Sequence, residues 1–152
     1  MLTLELAVAR EAALTPFDSV AVRCPSRAGS RPRMVLAHRD PQYLSSASRH
    51  FRRLGWDVRR ASSGAEARRL AFVHEPAVSI LDTELADQSG WLSCCKIRRD
   101  GRCDKVILIS PALERAPIAF ARFVGAATLV GEHAGISALV DAVYDAECAA
   151  VG

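Results

Sequence analysis

The chain reads as an α/β domain, a five-stranded parallel sheet that is doubly wound, with a helix after each strand. Three observations predict it. Short apolar runs at residues 34–37, 77–81 and 106–109 are hydrophobic on both faces, as strands are when helices cover both sides of a sheet. Between them lie segments in which apolar residues recur at helical spacing. The length of 152 residues, with 50% hydrophobic and 24% charged, suffices for one core without staples.

The elements follow in order. Residues 1–33 are read as an N-terminal extension and linker. Residues 4–14 offer a short helix with Pro16 beyond it, and residues 24–33 are rich in Gly, Pro and Ser. The domain proper is placed at 34–147, with 148–152 as a tail. The first strand is 34–37. Asp40-Pro41 then supplies an N-cap and a proline at the first helical position. Leu44, Ala47, Phe51 and Leu54 follow at helical spacing, and Gly55 closes the helix.

Residues 57–61 form the second strand. Ser62-Ser63-Gly64 leads into a helix with Ala67, Leu70 and Ala71 inward. The third strand runs from 77 to Asp82, and after Ser89-Gly90 a helix covers 91–99. Residues 105–110 are the fourth strand, 117–124 a helix and 127–130 the fifth strand. The last helix places Ile136, Leu139, Val140 and Val143 on one face.

Composition narrows the function. The stretch from Arg23 to Arg69 holds twelve arginines against Asp40, Asp57 and Glu66. That reads as a solvated arginine-rich surface; without interleaved aromatics, nucleic acid is not the expected partner. Five cysteines (Cys24, Cys94, Cys95, Cys103, Cys148) with no CxxC pair argue for cytosolic thiols. Adjacent helical residues face about 100° apart, so Cys94 and Cys95 read as one buried and one exposed thiol rather than a metal site. No apolar run approaches the roughly 20 residues of a membrane span, and no signal peptide is read. A cytoplasmic location is expected.

Asp82 ends a buried strand, where open α/β sheets place their chemistry. Around it, Val35-Leu-Ala-His-Arg-Asp-Pro41, Ser79-Ile-Leu-Asp-Thr-Glu-Leu-Ala-Asp-Gln-Ser-Gly90, Ile97-Arg98, Val106-Ile-Leu-Ile-Ser110 and Gly125-Ala126 stand in fixed order. With these segments the chain resembles the receiver domain of bacterial response regulators, which shares the flavodoxin-like fold. The match runs over residues 34 to about 147, with Ala86 in place of the family's loop proline. The resemblance implies a phosphoacceptor at Asp82, a switch pair at Ser110 and Leu129, and a partner or dimer face on the fourth helix, fifth strand and fifth helix. That face includes Ala119, Phe123, Leu129 and the tail from Ala146 to Gly152.

Departures from the pattern redirect this expectation. The two positions that hold Mg²⁺ in the family are His38 and Arg39. The lysine position is Glu132, and the proline after it is His133, where a trans bond is expected because a non-proline cis bond costs about 3 kcal/mol. The aromatic switch position is Leu129. Mg²⁺ wants about six oxygens; any site here would fall to Asp82, the backbone carbonyl of Glu84 and Asp40, with Asp40 better used as a helix cap. No metal or other cofactor is expected.

The charges are swapped, so Arg39 is expected to take the metal's place and bridge Asp82, with Glu132 also in reach. His38 is read as a structural polar residue and Trp91 as helix–sheet packing. The leading expectation is a stand-alone, atypical receiver (pseudo-receiver), not an enzyme and with no catalytic residue. It would bind a histidine kinase, phosphotransfer protein or downstream effector, or a second copy, independently of phosphorylation. A phosphoaccepting single-domain regulator using Asp82 and Mg²⁺ is the alternative. A flavodoxin-like cofactor or nucleic-acid binder comes after it, because the first strand–helix turn lacks a phosphate-cradling loop.

Overall fold

Side-chain alternation along the strands divides the core into two layers. In the computed structural model, residues 31–111 and 118–151 are described, with side chains described as far as Asp145. The expected helix at 4–14 and the linker lie mostly outside them. Strands β1 (Arg33–Ala37), β2 (Asp57–Ala61), β3 (Val78–Asp82), β4 (Val106–Ser110) and β5 (Thr128–Gly131) form one sheet. Every strand pair is parallel, and the spatial order is β2-β1-β3-β4-β5.

Successive strand residues point to opposite faces. Met34, Leu36, Val78, Ile80, Ile107 and Ile109 therefore meet helices α1 (Pro41–Arg53) and α5 (Gly135–Val151), through Phe51, Leu139 and Val143. Val35, Ala37, Leu81, Val106 and Leu108 face the other way. They meet α2 (Gly64–His74) and α3 (Gly90–Asp100) through Ala67, Ala71, Cys94 and Ile97, with Val124 after the short α4 (Ile118–Phe123).

The caps explain the boundaries. Asp40 accepts from the Gln42 backbone N–H at 3.0 Å, with Pro41 opening α1. Ser63 caps α2 through the Glu66 N–H, and Ser89 caps α3 through the Leu92 N–H. Helix α5 continues to Val151, so residues 148–151 belong to it rather than to a tail. Ala146, Ala149 and Ala150 carry the highest helix propensity, which favours that continuation. No cis peptide occurs among the described residues, the 132–133 bond included. Cys94 is buried and Cys95 exposed.

Candidate functional site

Strand order places the site. β1 leads to α1 on one face of the sheet and β3 leads to α3 on the other, so the chain diverges at the C-terminal ends of these neighbouring strands. A crevice opens at that switch point, and Asp82 lies in it fully buried at the tip of β3. The loop after it must turn back at once. A Cβ at Gly90 would stand 2.2 Å from the Asp82 carbonyl oxygen, so this position needs glycine; its N–H donates to the Thr83 carbonyl at 3.0 Å.

The carboxylate of Asp82 is saturated with donors. The Arg39 guanidinium donates through one terminal nitrogen to Oδ1 at 2.8 Å and to Oδ2 at 2.7 Å. The Arg39 backbone N–H adds a bond to Oδ2 at 3.0 Å, and the Glu84 N–H one to Oδ1 at 2.9 Å. The other terminal nitrogen of Arg39 reaches Glu132 Oε1 at 3.2 Å. One guanidinium thus bridges the two carboxylates that the sequence analysis paired with it. Burial works against its charge, but the charge and hydrogen bond of Asp82, then Glu132 and Glu84, outweigh that and raise its pKa.

His38 completes the cluster. The Asp40 backbone N–H donates to its Nδ1 at 2.9 Å, so the ring carries its proton on Nε2, which faces Glu132 Oε1 at 3.2 Å. His38 is therefore not a lone histidine. It is buried, it stacks on Tyr43 with ring centroids 4.1 Å apart, and it holds Glu132 from the side opposite solvent. Tyr43 was not singled out from sequence; its place in the first turn of α1, three residues past Asp40, was the available signal. Burial, Glu132 and Asp82 together push its phenol up to about 12.

The remaining positions divide. Ser110 is buried at the end of β4, in register with Gly131. Leu129 packs, partly buried, against the α2–α3 side of the core. Trp91 joins the same cluster and also lies 5.2 Å, centroid to centroid, from Phe120 on α4. Asp87 is a second residue the sequence analysis passed over. It accepts from the Gly64 and Ala65 N–H groups at 2.7 and 2.9 Å, clamping the β3–α3 loop onto the start of α2. An aspartate in a loop facing a glycine-led helix start was its only signal.

The residues present do not fit Mg²⁺. Asp40 is engaged as a helix cap, and the Asp82 carboxylate is filled by the Arg39 guanidinium and two backbone N–H groups, so the set Asp82, Glu84 carbonyl and Asp40 is not assembled around an ion. The atoms that do converge, within 4.8 Å of one another, belong to His38, Asp82 and Glu132. Both of those carboxylates already bind the guanidinium, and the imidazole presents nitrogen where Mg²⁺ takes oxygen.

No family model matches the chain. Over 83 residues it is 31% identical to the DNA-binding dual master transcriptional regulator RpaA of Synechocystis, a match covering 54% of this chain. The chain spans only 34% of the length of that relative. Among solved structures it is similar to the signal receiver domain of the response regulator NarL from Mycobacterium tuberculosis. The identity is 26% and the TM-score 0.69, over 78% of this chain and 97% of that one. The receiver domain of the Francisella response regulator 1452 gives a TM-score of 0.71 at 18% identity, over 78% and 98% of the two chains. A Burkholderia pseudomallei response regulator, solved with a phosphorylated aspartic acid and a calcium ion, gives 0.64 at 19%, over 73% and 65%.

Proposed function

We propose that this chain, a response-regulator receiver domain by fold and similarity, acts as a phosphorylation-independent protein-interaction module in bacterial signal transduction. The observation that carries the reading is the Arg39 guanidinium bridging Asp82 and Glu132. Phosphoryl transfer to a carboxylate relies on a divalent cation and fixed positive groups around the phosphoryl oxygens. Here the cation is covalently part of the chain and its charge is permanent, and Glu132, 3.2 Å from the same guanidinium, adds a negative charge that would repel a phosphate. The site is held in one state by its own residues and has no catalytic role.

A partner surface on α4, β5 and α5 completes the proposal. Phe123 is 82% exposed, its ring 6.0 Å from that of Phe120, and Ala119 is exposed beside them. A histidine kinase, a phosphotransfer protein, a downstream effector or a second copy would dock there. Among the described residues no helix is long and apolar enough to cross a membrane, and a cytoplasmic location belongs to the same proposal.

The test is a titration with beryllofluoride and Mg²⁺, followed by amide NMR shifts. No saturable change at Asp82, Thr83 and Ser110 is expected. A saturable change there would instead support the phosphoaccepting reading.

A further inference from the structure

Toward the opposite end of the sheet, residues that the Asp82 site does not use surround a second cavity. It measures about 530 Å³ and is lined by Arg31, Arg33, Arg52 and Arg59, with Trp56 and Asp57. Backbone and side-chain acceptors orient three of the arginines. Arg33 donates to the His74 carbonyl at 3.1 Å, Arg52 to the Val58 carbonyl at 3.2 Å, and Arg59 to Asp57 at 3.3 Å. A guanidinium carries five donors in a rigid fork, so one such bond sets its plane and leaves others for a ligand.

Among the described residues, charge in this cavity is lopsided, four guanidinia against the one carboxylate of Asp57. The neighbouring His74 reports the excess. Burial, then the charges of Arg59 and Arg33, push its imidazole below the ordinary value, and Asp57 does not offset them. The volume is that of a small-molecule site. Trp56 is only 1% exposed, so its ring offers nothing for a base to stack on.

We propose that this cavity binds a small oligophosphate anion, its phosphate oxygens taken by Arg33, Arg52 and Arg59. A free oligophosphate fits better than a nucleic-acid backbone, because the arginines ring one concavity and lack a stacking platform.

The experiment titrates inorganic tripolyphosphate into the full chain, in phosphate-free buffer at low salt, by calorimetry and amide NMR. Saturable one-to-one binding is expected, with shifts at Arg33, Val58, Arg59 and His74. Arg33→Gln with Arg59→Gln should weaken it at least about tenfold, since each lost charge-assisted bond counts at that scale. Arg33→Lys with Arg59→Lys should bind between the two, keeping charge but losing the forks. The exposed pair Arg99→Gln with Arg122→Gln should bind like the unaltered chain. Absence of saturation, shifts confined to the Asp82 end, or an undiminished affinity in the Gln pair would overturn the proposal. So would duplex DNA binding through the same arginines at equal or higher affinity, which would assign the cavity to a polymer backbone. None of these outcomes bears on the beryllofluoride test, which reads the other end of the sheet.

Discussion

The two ends of the sheet handle charge in opposite ways. At the C-terminal ends of β1, β3 and β5, Asp82 and Glu132 share one guanidinium, and backbone N–H groups fill the remaining acceptors of Asp82. At the other end, Arg31, Arg33, Arg52 and Arg59 gather around one carboxylate. The first arrangement is complete within the chain, and its desolvation cost is offset because every partner is present. The second leaves an unbalanced field that an external anion would neutralise. A site that has supplied its own counter-ion is closed to ligands of that charge, and a site that has not is open to them.

The sharpest way to break this contrast is to remove one arginine from each end. Truncating one partner of a buried pair costs about 3–5 kcal/mol. Because Arg39 is 36% exposed, Arg39→Gln should sit at the lower end, about 3 kcal/mol. Arg33→Gln should lie within about 0.5 kcal/mol of zero, as surface changes do. Urea unfolding measures both, and equal losses at the two ends would erase the distinction.

A smaller effect tests whether the Asp82 end rests on charge pairing alone. Asp40→Ala removes the α1 cap beside His38 and should cost about 1 kcal/mol by the same measurement. The smallest concerns acid. The Ala65 and Gly64 N–H groups hold the Asp87 carboxyl below its ordinary value of 3.8. The unfolded chain then takes up the proton first, so this stabilisation is complete above 3.8 and fades as the pH falls through the lower folded value. Asp87→Asn should flatten that part of the melting-temperature profile against pH, lowering the melting temperature near neutrality and converging on the unaltered chain in acid.

Much of this was legible in the chain because it depends on local periodicity. Double-sided apolar runs mark strands buried on both faces, and Asp40-Pro41 and Ser63 mark helix starts whatever surrounds them. The position of Asp82 follows from the strand that ends there. Other features were not legible for an equally physical reason. His38 looked isolated because its partner Glu132 is 94 residues away, and only the ring stacking on Tyr43 shows how it is held. Asp40, the last resort of the metal set, serves α1 as the cap that its place before Pro41 marked it for.

The sequence by itself determined the order of strands and helices, the carboxylate at the tip of β3, and the placement of His38 and Arg39 directly after β1. Period-2 and period-3.6 burial and residue charge are properties of the chain. The tertiary structure alone decided that Glu132 reaches across the ends of β3 and β4 to meet His38, although β5 is not a neighbour of β1. It also decided that arginines from β1, α1 and β2 surround one cavity. Distances of a few ångströms between charges set their energies, and those distances exist only once the sheet has fixed its order.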